Sequence, residues 1–105
     1  EIQSGHTSFK YSTIPTTLDL YPAYPNPFNP ITTLQFDIPY LENTEKVSLS
    51  IFDLMGREID MLINSYKPPG SYKFKWNATK HSSGVYFARL RLGPFVKTQK
   101  IILMK

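Results

Sequence analysis

The sequence predicts an all-β protein, an antiparallel β-sandwich of Ig-like type with about seven strands. Two observations lead to this prediction. Apolar and polar residues alternate in short runs, which is the period of a half-buried strand. Turn-forming residues separate these runs, and no apolar pattern with a helical period has useful length. A small β-barrel is the alternative architecture.

Composition limits the classes of function. The chain has 105 residues, the size of one domain, and no cysteine, which excludes disulfides, thiol catalysis and thiolate metal sites. The formal net charge is +4, and the basic residues are spread along the chain, so an anionic partner is allowed but not demanded. No apolar run approaches the roughly eighteen residues of a membrane-spanning helix.

Residues 1–17 differ in composition from the rest. They are rich in Thr and Ser and begin without Met or a signal-peptide pattern, which is typical of a linker in a piece of a longer protein. We predict a linker from an upstream cargo domain over 1–17 and one folded domain over 18–105. Leu18, Leu20 and Tyr21 are expected to pack on the edge of that domain.

A proline-rich segment starts the domain. We call it the clasp, and it consists of Tyr24, Pro25, Asn26, Pro27, Phe28, Asn29 and Pro30. Each proline fixes its own φ and moves the preceding residue out of the helical region, so the clasp must be extended with turns. Tyr24 and Phe28 are expected to be its apolar anchors.

The alternation predicts three strands in the first part of the domain, at 32–38, 47–53 and 58–63. A hairpin loop at 53–57 joins the second to the third, and Gly56 suits a positive φ there. Phe52 falls on the Ser48 and Ser50 side of its strand, so we expect that side to be partly covered.

Three further strands are predicted at 71–76, 85–92 and 95–105. Tyr72, Phe74 and Trp76 share one face of the first of these strands, and side chains this large are typical of a sandwich core. A sugar-stacking platform is the alternative use of this face.

Five sequence blocks resemble, in order, the type A C-terminal sorting domains of the type IX secretion system of Gram-negative bacteria. These domains are similar in fold to the Ig-like domain of the flagellar hook-capping protein. The matching blocks are the clasp with the strand that follows it, Val47 to Ile59 with its Asp-Leu-Met-Gly-Arg turn, Pro69 to Asn77, Ser83 to Leu90, and Lys100 to Lys105.

The resemblance implies a non-catalytic domain that directs an upstream cargo through the outer-membrane translocon. It also implies removal by a sortase-like protease, with cleavage somewhere in 1–21, and possible attachment of the cargo to an anionic lipopolysaccharide at the cell surface. The implied sorting signal lies in the last two strands, at Gly84, Val85, Tyr86, Lys100, Ile101, Ile102, Leu103, Met104 and Lys105. We expect the last strand to have an exposed edge that a receptor captures by strand addition.

No residue pattern predicts catalysis, a metal site or a cofactor. His6 and His81 lie in polar loops, and the neighbouring Ser82 lacks the pattern of an activated nucleophile. Glu58 and Asp60, two residues apart on a predicted strand, are expected to share its solvent-facing side.

One basic feature carries a separate hypothesis. If the strands at 71–76 and 85–92 pair, then Lys73, Lys75, Arg89 and Arg91 form a stripe for a polyanionic partner. A solvated face neutralised by carboxylates is the alternative. For the domain as a whole, a structural Ig-like interaction module and a carbohydrate-binding accessory domain of a secreted enzyme are the alternatives to a sorting domain.

Overall fold

The computed structural model describes residues 15–40 and 45–105. Most of the predicted linker and the segment 41–44 between the first two predicted strands therefore lie outside the described residues. Seven strands follow one another along the described chain. They are β1 (Asp19–Leu20), β2 (Ile31–Ile38), β3 (Lys46–Phe52), β4 (Glu58–Tyr66), β5 (Gly70–Asn77), β6 (Gly84–Leu92) and β7 (Phe95–Leu103).

The strands form two antiparallel sheets, which confirms the predicted β-sandwich. One sheet has three strands in the order β1-β2-β5, and the other has four in the order β4-β3-β6-β7. β7 is therefore an edge strand of the four-stranded sheet. The alternation that predicted β2 places its apolar side chains Leu34, Phe36 and Ile38 between the sheets, where they are buried. The two-residue strand β1 was not predicted from the sequence.

Side chains from both sheets fill a single core. Its largest fully buried members include Trp76 and Phe36 from the three-stranded sheet and Leu49, Leu90 and Ile101 from the other. Leu18 is also buried, and Leu20 packs against the core, so the predicted packing of this segment on the domain edge is confirmed for these two residues. The core thus joins residues that lie more than 80 positions apart in the sequence.

Two β-bulges in β4 correct the prediction for its carboxylates. Asp60 lies opposite Ile51, and Glu58 lies opposite Phe52, with a register shift between the two pairs. Because a bulge adds one residue to the alternation, Asp60 faces the core side with buried Ile51 whereas Glu58 faces outward with Phe52. The two carboxylates therefore do not share a face.

The β3–β4 loop is held by Asp53. Its carboxylate accepts hydrogen bonds from the backbone N–H groups of Met55 and Arg57, each at 2.9 Å, and pairs with the Arg57 guanidinium at 2.9 Å. The Arg57 N–H and guanidinium lower the pKa of the Asp53 carboxyl below its ordinary value. Gly56 has a φ of 86°, as predicted from the sequence.

Candidate functional site

The side chain of Asn26 in the clasp takes the place of a neighbouring strand beside β7. Its amide Nδ2 donates to the carbonyl of Lys100 at 3.0 Å, and its Oδ1 accepts the N–H of Ile102 at 2.9 Å. A carboxamide carries one donor and one acceptor group in the same arrangement as a peptide unit. Asn26 therefore satisfies two backbone groups that an edge strand would otherwise leave unpaired.

Phe28 continues this contact with its backbone. Its N–H donates to the carbonyl of Ile102, and its carbonyl accepts the N–H of Met104, both at 2.9 Å. Phe28 thereby forms an isolated parallel bridge to Leu103. The clasp thus adds a short fifth segment to the four-stranded sheet, beside β7.

These contacts correct the expectation of an open last strand. From Lys100 to Met104 the outer edge of β7 is occupied by the clasp. The backbone N–H and carbonyl groups on this edge belong to every second residue of β7, so the edge continues at Thr98 and Val96. Within residues 15–40 and 45–105, no backbone group outside the β6–β7 ladder forms a hydrogen bond with Thr98 or Val96.

Phe28 anchors the clasp, and Tyr24 does not. The Phe28 ring is 2% exposed and lies 5.7 Å from the Trp76 ring, centroid to centroid. The Tyr24 side chain is 81% exposed, so the prediction that it is an apolar anchor is wrong. Tyr24 contributes backbone hydrogen bonds to Thr33 instead, at 2.9 and 3.1 Å.

The proline positions of the clasp also contact the three-stranded sheet. The Pro25 carbonyl accepts a hydrogen bond from the buried hydroxyl of Thr32 at 2.7 Å, and the Pro30 carbonyl accepts the N–H of Ala78 at 2.8 Å. Pro27 and Asn29 are exposed, and the peptide bonds before all three prolines are cis. The clasp is therefore bonded to both sheets of the sandwich.

The start of β6 lies directly beside the end of β7. Gly84 is opposite Leu103, Val85 is opposite Ile102, and Tyr86 is opposite Ile101. All nine residues of the implied sorting signal are thus gathered at one end of the sandwich, although the two groups lie more than a dozen residues apart in the sequence.

The loop before β6 holds this end of the sheet. The Tyr86 hydroxyl donates to the Ser82 carbonyl at 2.5 Å, and the N–H of Lys105 donates to the Ser83 hydroxyl at 2.9 Å. The Lys105 ammonium donates to the Thr79 carbonyl at 2.7 Å. In the same loop, the ring of His81 lies 5.6 Å from the Trp76 ring, centroid to centroid.

Trp76 links the two sheets through the core. It is 2% exposed, and its indole N–H donates to the Asp60 carboxylate on β4 at 2.9 Å. Tyr72 and Phe74 pack against the same core. The interpretation of this aromatic face as core is confirmed, and the buried Trp76 indole is not available for stacking on a sugar.

The strand pairing behind the basic stripe is wrong. β5 and β6 follow each other in the chain but belong to different sheets, because the loop between them crosses the sandwich. Lys73 and Lys75 are therefore on the outer face of one sheet, and Arg89 and Arg91 are on the outer face of the other. The Arg89 guanidinium lies 4.2 Å from the centre of the Phe52 ring, which covers that side of β3 as predicted.

Sequence reasoning missed the pairing of Asn26 with β7. The only signal was an amide side chain between two prolines, which cannot donate ladder hydrogen bonds themselves. It also missed the bond from Trp76 to Asp60, because the interrupted alternation of β4 does not show which of its residues are the extra ones at the bulges.

Replacing Asn26 with alanine is expected to lower the free energy of unfolding by about 1–2 kcal/mol, because two hydrogen bonds to β7 are lost. The exposed Asn64 on β4 is the matched control, and Asn64→Ala should change it by about 0.5 kcal/mol or less. Urea unfolding measures both values, and hydrogen exchange should be faster at the Ile102 amide in Asn26→Ala alone. Unchanged exchange at Ile102 would contradict the role given to Asn26.

In the described part of the chain, no helix is long and apolar enough to cross a bilayer. Among these residues, no three His, Asp or Glu side chains are grouped to hold a metal ion.

Comparison with known proteins gives one match. The family model for the secretion system C-terminal sorting domain matches residues 22–104, which include the clasp and β2 to β7. Neither the curated proteins nor the solved structures include a match to this chain. The chain therefore belongs to the C-terminal sorting domains of the type IX secretion system, non-catalytic signals that direct export through the outer membrane to the cell surface or the medium.

Proposed function

We propose that the export machinery recognises the end of the sandwich formed by the start of β6 and the end of β7. The proposed recognition residues are Gly84, Val85, Tyr86, Lys100, Ile101, Ile102, Leu103, Met104 and Lys105. One observation carries the proposal, namely that these residues lie beside one another, with the clasp bonded to Lys100, Ile102 and Met104 among them.

In this proposal the clasp orders the backbone of the recognition residues at the end of β7. Two clasp residues and the loop before β6 hold the backbone from Lys100 to Lys105 by hydrogen bonds. A receptor that binds a folded surface gains affinity when that surface is already ordered, because less conformational entropy is lost on binding.

The proposal extends to the residues before the sandwich. We assign 1–17 to a linker from a cargo domain and 18–105 to the sorting domain. Thr16 and Thr17 are exposed whereas Leu18 is buried, which supports a boundary at this point. A sortase-like protease would cut within 1–21. An anionic lipopolysaccharide is the proposed acceptor for the released cargo, and we assign no catalytic or cofactor-binding residue to this chain.

An export assay tests the recognition site. The chain is fused behind a periplasm-directed fluorescent reporter in a host with a type IX system, and the reporter is measured inside and outside the cells. We compare the full chain with a fusion lacking Lys100–Lys105. That deletion also removes the buried side chains of Ile101 and Leu103, so a control must lower stability without touching the site.

Leu49→Ala in β3 is that control, because Leu49 is fully buried away from both signal segments. We expect the full chain and Leu49→Ala to reach the medium, and the deletion to stay in the periplasm. Export of the deletion at the level of the full chain would contradict the proposed site. Equal loss in both variants would also contradict it, because folding alone would then explain the result.

A further inference from the structure

Two large apolar side chains project from the β3–β4 loop into solvent. The Leu54 side chain is 70% exposed and the Met55 side chain is 81% exposed, so neither is part of the core. Scattered exposed apolar residues are normal on protein surfaces. Here, however, two of them are adjacent at a loop tip, and the loop is rigid.

The rigidity comes from the Asp53 contacts described above and from two backbone bonds. The Gly56 N–H donates to the Asp53 carbonyl at 3.0 Å, and the Asp53 N–H donates to the Arg57 carbonyl at 2.9 Å. These bonds hold the backbone of the loop, so a partner that binds the tip loses less conformational entropy than it would in ordering a free loop.

The tip is continuous with apolar residues on the outer face of the four-stranded sheet. Phe52, just before the tip, lies beside Phe87 on β6. Val85, two residues before Phe87 on the same strand, lies beside Ile102 on β7. All four are half-buried. We call this surface the outer strip, and it consists of Phe52, Leu54, Met55, Val85, Phe87 and Ile102.

The outer strip reaches the recognition site. Because β3 and β6 are antiparallel, the tip lies at the same end of the sandwich as Gly84 and Leu103. Three basic and two acidic side chains flank the strip. Arg89 stacks on Phe52 and Lys100 lies opposite Phe87, whereas Arg57 is paired with Asp53 and Glu58 lies opposite Phe52. The two basic residues without a described ion pair, Arg89 and Lys100, favour carboxylates in a partner.

We propose that the outer strip docks a protein of the export machinery, one that presents an apolar socket for Leu54 and Met55 with carboxylates around it. The proposal rests on the recognition site proposed above, and it adds a second contact on the same end of the sandwich. Exposed apolar anchors surrounded by a polar rim are the usual centres of protein–protein binding energy.

A lipid surface fits the strip less well than a protein does. A single myristoyl chain gives only marginal membrane binding, and the two tip side chains together bury no more apolar surface than such a chain. Two projecting side chains are sufficient as anchors in a protein interface, where a shaped pocket excludes water around them.

The test uses the reporter fusion with the double substitution Leu54→Ser and Met55→Ser. We expect the rate of export to fall about tenfold or more, because truncated anchors commonly cost that much in affinity. The melting temperature should stay close to that of the full chain, since both side chains are exposed. Tyr66→Ser is the matched control, because Tyr66 is 60% exposed at the opposite end of β4, and it should export normally.

Other results would overturn this inference without touching the recognition site. If the double variant is exported like the unmodified chain while the deletion of Lys100–Lys105 is retained, the strip has no role in export. If sedimentation shows that the purified chain dimerises and that the double variant is monomeric, the occupant is a second copy. If only the unmodified chain floats with phosphatidylglycerol vesicles, the occupant is a lipid surface.

Discussion

Replacing Trp76 with alanine is expected to lower the free energy of unfolding by about 3–5 kcal/mol, the usual cost of removing a large buried aromatic side chain. The ring is 2% exposed and lies within 6 Å of the Phe28, Tyr86 and His81 rings, centroid to centroid. The substitution also removes the donor that pairs with the Asp60 carboxylate. Urea unfolding measures the change, which is a large part of the roughly 5–15 kcal/mol available to a small domain.

Trp76→Phe separates the two contributions. It keeps an aromatic ring in the core but leaves the partly buried Asp60 carboxylate without its donor, which should cost about 1–3 kcal/mol. Asp60→Ala removes the acceptor, and measured alone and together with Trp76→Phe it gives the coupling between the two residues. If the single and double variants simply add, the hydrogen bond does not link the sheets.

Replacing Phe28 with alanine is expected to lower the free energy of unfolding by a similar amount, about 3–5 kcal/mol. The Phe28 ring is the buried anchor of the clasp, while its backbone is bonded to Ile102 and Met104. Losing the anchor loosens the clasp. We therefore expect Phe28→Ala to accelerate hydrogen exchange at the Met104 amide more than at the amides of β3.

Tyr24→Ala is the matched control for Phe28→Ala. Both aromatic residues belong to the clasp, but the Tyr24 side chain is 81% exposed, so its removal should change the free energy of unfolding by about 0.5 kcal/mol or less. Comparable losses in the two variants would contradict the assignment of Phe28 as the single apolar anchor of the clasp.

The strands could be predicted because each one buries a single face. In β2 the alternation of Leu34, Phe36 and Ile38 with polar residues follows directly from that geometry. The positive φ of Gly56 and the burial of Trp76 were predictable for equally local reasons. β4 is the exception, because its two bulges interrupt the period on which the prediction depends.

The assignment of strands to sheets could not be predicted in the same way. Consecutive strands usually lie side by side, and the basic-stripe hypothesis depended on such a pairing of β5 with β6. The short loop between them crosses to the other sheet instead, with the Ala78 N–H bonded to the clasp at Pro30. The contact between the clasp and the recognition site could not be predicted for the same reason, since nothing local in the sequence places Asn26 beside Lys100.

The bonds from the clasp to β7 also set the order in which the domain can fold. The side chain of Asn26 finds its backbone partners 74 and 76 residues later in the chain. Folds that depend on such distant partners form slowly, because a long loop must close before its contacts stabilise it. The clasp therefore cannot complete its bonds to β7 until synthesis has passed Met104, although its bonds to Thr32 and Thr33 are local in the sequence.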